Sequence, residues 1–172
     1  MKKMCARLWA GALLLVFLSG CSSKGEGRTA EEWTELYQQV ITEHGGEMVE
    51  YNPVISRFDA EDGISALALS SLGLEEGDVE AFGASVSVMN TQAYAIAAVQ
   101  PAEGREEAVQ TSLQGYVDRQ QSNFEFYLPD QYQVAQDARL ETLADGTVLL
   151  VMCQDGDEVF EAIRENLEAS EQ

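Results

Sequence analysis

Residues 83–100 read GASVSVMNTQAYAIAAVQ, and the fold turns on them. Ala84, Val86 and Val88 alternate with Ser85 and Ser87, the two-residue period of a strand. Asn90 to Gln92 can turn the chain, and Ala93 to Gln100 then reads as a second strand. The second strand is apolar on both faces, so it belongs nearer the middle of a sheet than the first. Two strands joined so closely form an antiparallel hairpin.

On the C-terminal side, the spacing predicts a long helix from Glu103 to Asn123, with Val109, Leu113, Tyr116, Val117, Gln120 and Phe124 facing inward. Gly115 within it costs about 1 kcal/mol relative to Ala, which a close contact with the sheet would justify. A short helix is expected over Pro129 to Ala135. Ala138 to Leu143 and Thr147 to Cys153 then flank an Asp145-Gly146 hairpin turn. The last helix is expected to start at Asp155, capped by that carboxylate with Glu158 three residues on, and to bury Val159, Phe160, Ile163 and Leu167.

On the N-terminal side, Thr29 and Glu32 make a capping box for a helix from Ala30 to His44. Its stripe is Trp33, Leu36, Tyr37, Val40 and Ile41, and Gly45-Gly46 ends it. Residues 47–62 read as irregular, with a turn at Asn52-Pro53, and Ile64 to Leu72 has helical character up to Gly73. The expected architecture is α+β. An N-terminal helix precedes an antiparallel sheet of about four strands, made of two hairpins each followed by a helix, with the helices on one face.

The first 28 residues have a different logic. Lys2, Lys3 and Arg7 precede an apolar run from Leu8 to Leu18, the layout of a secretory signal peptide and too short for a membrane-spanning helix. Leu18-Ser19-Gly20-Cys21 resembles the lipobox of bacterial lipoproteins. The resemblance implies cleavage after Gly20 and a lipid on the Cys21 sulfur, which would hold the protein on the membrane and outside the cytoplasm. Residues 1–20 are then the signal peptide, 21–28 the lipidated cysteine and a Ser/Gly-rich tether, and 29–172 a single domain.

Loss of residues 1–20 leaves seven Lys and Arg against thirty Asp and Glu, a formal charge of −23. That charge repels nucleic-acid phosphates and anionic headgroups, so nucleic acid is excluded as a direct partner. Of the three cysteines, Cys5 leaves with the signal and Cys21 carries lipid. Cys153 therefore lacks a partner and is expected to be a buried, unreactive core thiol.

Catalytic signals are missing. The single His44 sits at a helix C-terminus, where its cationic form suits the helix dipole, and no G-x-S-x-G, P-loop or H-E-x-x-H occurs. The acidic runs Asp59 to Gly63 and Asp155 to Glu158 lack the spacing of a calcium loop. No catalytic set, metal site or cofactor is therefore expected. The one stretch with the composition of a binding surface is Phe124 to Pro129 with Arg119 and Tyr132 nearby, giving Arg119, Phe124, Phe126, Tyr127 and Tyr132 as candidates. The alternative for these aromatics is ordinary core filling.

A larger resemblance rests on an order of features. Leu72-Gly73-Leu74 leads into an acidic stretch to Glu80, and the strand Tyr94 to Val99 follows. The helix ending Tyr116 to Gln121, the segment Phe124 to Pro129 and the hairpin about Gly146 complete it. In this order the chain resembles the bacterial lipoprotein family catalogued as domain of unknown function 4358, over roughly residues 54–165. The resemblance implies a fold and a location and carries no catalytic residues. Family members usually carry more Lys on the long helix, and this chain is more acidic, so a charge-dependent role does not carry over. The expected function is a membrane-anchored, extracytoplasmic, non-enzymatic module binding a protein or cell-wall partner. The alternatives are a carboxylate-based hydrolase of wall material and a weak divalent-cation binder.

Overall fold

The computed structural model describes residues 28–59 and 62–170. The stretches read as signal peptide and lipobox, with Cys21, lie outside the described residues. Helix α1 (Ala30–His44) starts as the sequence predicts, with the Thr29 side chain accepting from the Glu32 amide and the Glu32 carboxylate accepting from the Thr29 amide. A four-residue helix α2 (Met48–Tyr51) follows, in a stretch expected to be irregular. Helix α3 (Gly63–Leu72) is capped by Asp62, which accepts from the Ser65 amide at 2.8 Å, and it ends on Gly73 in the left-handed conformation. That bond draws the Asp62 carboxyl below its usual range.

Strands β1 (Val79–Val86) and β2 (Ala95–Pro101) form the first hairpin. Helices α4 (Glu106–Phe124) and α5 (Pro129–Gln136) come next, then β3 (Arg139–Thr142), β4 (Val148–Met152) and α6 (Gly156–Ala169). The sheet is antiparallel throughout, in the order β1-β2-β4-β3. The α+β fold of two hairpins and about four strands is the one expected. The central pair is β2 and β4, whose residues are almost all buried.

The helices divide between the two faces of the sheet, which corrects the one-face arrangement. Phe82, Ala84, Ala97, Val99, Val148 and Leu150 point into a core closed by α3, α4 and α5. Ala81, Ile96, Ala98, Leu149 and Val151 point the other way, against α1 and α6. With both faces covered, in–out alternation has little meaning, because both sets of side chains are dry. Strand β1 begins at Val79, five residues before the alternation becomes visible; Glu80 is exposed, but Ala81 to Val86 are all buried, Ser85 as much as its apolar neighbours.

The buried hydroxyls in the α1/α6 layer have partners. The Ser85 hydroxyl donates to the Asn52 carbonyl and lies 3.0 Å from the Tyr94 hydroxyl. The Tyr37 hydroxyl sits 2.7 Å from that of Thr147 and donates to Gln100. Ile55 and Ala84 exchange both backbone hydrogen bonds, at 2.7 and 2.8 Å, covering the outer edge of β1. The bridge stays short because Pro53, two residues earlier, has no amide to donate.

Two local expectations fail. Asp155 makes no side-chain cap, and its backbone is left-handed (φ 58°), turning the chain sharply from β4 into α6. Its carbonyl accepts from the Glu158 and Val159 amides instead. Gly115 does not touch the sheet, and a Cβ there would meet only a terminal nitrogen of Arg119, at 3.2 Å.

Burial pushes the phenol of Tyr94 up to about 12 and those of Tyr37 and Tyr116 higher still. A phenol with a raised native pKa contributes stability that is fully present below the unfolded value, about 10, and is lost as pH rises through the native value. Stability should therefore fall steeply above about pH 10. A native-state titration of tyrosinate absorbance should miss these three of the six tyrosines until the chain unfolds. Their ionisation near 10 with the circular dichroism still native would contradict their burial.

Candidate functional site

Among the described residues, exposed large apolar side chains gather where α3, the β1–β2 turn and the end of α4 meet. Leu67 on α3 is 57% exposed, and Met89 in the turn is 63% exposed. With Val88 and Tyr127 they surround a cleft of about 430 Å³. Phe124 closes its floor, 1% exposed and anchored in the core. The Tyr127 hydroxyl donates to the Asn90 carbonyl at 2.9 Å, tying the segment after α4 to the turn.

The polar groups around the cleft are uncharged. Asn90, Gln120 and Asn123 line it together with the hydroxyls of Ser71 and Ser87, and no Asp, Glu, Lys or Arg does. In a chain with thirty acidic residues this neutrality sets the cleft apart. The larger cleft beside Pro53 and Ile55, of about 800 Å³, carries Arg57, Asp59 and Asp62.

The sequence-derived candidates scatter around this place. Phe124 forms the floor and Tyr127 the wall. Phe126, 88% exposed, is the most open large apolar side chain among the described residues. Arg119 donates to the Ser71 carbonyl at 2.7 Å, fastening α4 to the end of α3. Tyr132 is half-buried against the core beneath α5. Sequence reading missed Leu67, Val88 and Met89. A signal existed for Leu67, since Ile64 and Leu67 fall outside the Ala68, Leu69 and Leu72 face that one core can take.

The remaining reactive groups have structural partners. Among the described residues no three His, Cys, Asp or Glu side chains converge on a metal-sized site. His44 lies 3.9 Å from Glu43, its own neighbour. Asp78 is buried and pairs with Arg105 across the turn into α4. Arg139 pairs with Glu141 and Glu161 and lies 3.5 Å from Asp157. Its hydrogen bond holds the Glu161 carboxyl below the usual range.

Cys153 is free, and burial with help from the Asp155 charge pushes its thiol up to about 11. A thiol at that value holds roughly a hundredth of the thiolate of an ordinary one near pH 8. In a Cys5→Ser, Cys21→Ser chain, iodoacetamide should alkylate native Cys153 about a hundredfold more slowly than in urea. Equal rates would mean an exposed, activated thiol.

The family comparison falls on the same region. Residues 63–153 match the family described as Domain of unknown function (DUF4358). The chain belongs to that family. The DUF4358 match runs from α3 to the end of β4, so it holds the whole sheet, the α3/α4/α5 layer and the cleft, while α1 and α6 lie outside it. No curated protein and no solved structure matches the chain.

Proposed function

We propose that this DUF4358 protein is a lipid-anchored, extracytoplasmic accessory module that binds a partner and carries out no chemistry of its own. The observation that carries this reading is the exposed apolar surface around Leu67, Met89 and Tyr127. Large apolar side chains gathered on an otherwise charged exterior mark interaction sites. The anchor rests on Leu18-Ser19-Gly20-Cys21, placed directly after an apolar segment. Diacylation of one cysteine holds a protein on a membrane far more firmly than a single chain does.

Cross-linking in intact native cells tests it, followed by mass spectrometry of what is joined to the anchored protein. One dominant partner is expected, lost when Cys21→Ala releases the domain from the membrane. A turnover activity abolished by a single side-chain substitution would sink the non-enzymatic reading.

A further inference from the structure

We infer that the face built from α3 and the β1–β2 turn docks an apolar segment with Lys or Arg on its flanks, presented by another extracytoplasmic protein. This rests on the accessory-module reading and names the kind of partner it takes. Three observations converge. The first is α3 itself. Ala68, Leu69 and Leu72 face the core, while Ile64, Ala66 and Leu67 stay open to solvent. Large aliphatic side chains left open on the solvent side of a helix, here beside Ser70, offer apolar surface for a partner to cover. Leu67 continues through the neutral cleft to Val88, Met89 and Tyr127, so the uncovered strip crosses from helix to turn.

The second observation is charge. Glu125 adjoins Phe126 and Tyr127; it is exposed and has no paired cation among the described residues. An apolar strip with an unpaired carboxylate beside it, on a chain of net charge −20, complements an apolar segment with basic flanks. It opposes a second copy of this chain, whose net charge is also −20, and it opposes anionic lipid.

The third observation is position. Arg28, the first described residue after the tether, donates to the Ser170 carbonyl at the end of α6 and lies 4.8 Å over the Trp33 ring at the start of α1. Along α1, Tyr37 meets Gln100 and Gly45 meets Ile96, so the helix runs toward the β1–β2 turn. The tether therefore leaves from one end of the sheet and the apolar strip sits at the other. The seven residues of β2 at about 3.3 Å each put roughly 20 Å between them. Attachment through Arg28 therefore leaves the strip unobstructed for a partner.

The test is a photoreactive amino acid placed at Met89 or Leu67 of the full chain, with Glu31 beside the tether as control, irradiated in intact cells. The adduct peptide is sequenced by mass spectrometry. Expected is an adduct at Met89 and Leu67, not at Glu31, on a segment of one other protein that has apolar residues and Lys or Arg on both sides. Leu67→Asp should cut the Met89 adduct by about tenfold or more. Adducts on lipid, on a second copy or on an acidic segment, equal labelling from Glu31, or no adduct would each overturn the inference. Fractionation of Cys21→Ala is scored separately. If that variant stays with the membrane the anchor reading fails, whatever the Met89 adduct shows.

Discussion

Phe160→Ala should lower the unfolding free energy by about 3–5 kcal/mol, the range for removing a buried aromatic ring. Phe160 is fully buried on α6 among Ile163, Leu167 and the sheet residues of the second face. Its outer side is covered by the Arg139 guanidinium, whose carbon lies 3.7 Å from the ring centroid. Removal leaves a cavity and also strips Arg139 of its seat, loosening the bonds to Glu141 and Glu161. In urea the midpoint should fall with little change in slope, while Glu168→Ala, on the exposed side of α6, should stay within about 0.5 kcal/mol of the parent. The experiment also decides what the folding unit is. Helix α6 lies outside the DUF4358 match, yet it closes one of the two cores. An unchanged midpoint would make α6 an appendage on a sheet that folds without it.

The parts of this fold that were legible in sequence are those where one side is wet. The α1 box of Thr29 and Glu32 and the Asp145-Gly146 turn depend on neighbours within a few residues, and each is found where it was read. The start of β1 is not legible because Val79 is half-buried and Glu80 exposed while Ala81, Phe82 and Gly83 are buried in succession, so no alternation shows. The two-sided arrangement of helices was not legible for the same reason. Nothing in the apolar run Val148 to Met152 says which of its residues face α4 and which face α6. The site was half legible. Phe124 and Tyr127 stood out as aromatics, but the cleft needs Leu67 and Met89 from two other elements. Only the folded chain brings residues 67, 89 and 127 together.

Gly83→Ala and Gly115→Ala are the same chemical change and should have opposite signs. Gly83 lies in β1 beneath α1. A Cβ there would come within 2.9 Å of the Tyr37 Cβ, 3.2 Å of its carbonyl carbon and 3.3 Å of the Gln38 amide nitrogen. None of these atoms can rotate away, since all belong to the helix backbone or its root. The added methyl must therefore push α1 off the sheet, against the Tyr37–Thr147 hydrogen bond that fixes its height. Overpacking of that kind costs about 1–3 kcal/mol, more than the backbone entropy that Ala saves over Gly. At Gly115 the obstacle is a terminal nitrogen of Arg119, which can swing aside, so Ala should gain up to about 1 kcal/mol of helix propensity. Urea melts of the two variants beside the parent give the answer directly. If Gly115→Ala raises the midpoint and Gly83→Ala lowers it, α1 is seated against β1 at the distance described. If both raise it, the helix does not rest on the sheet at Gly83, and the second core is looser than its burial implies.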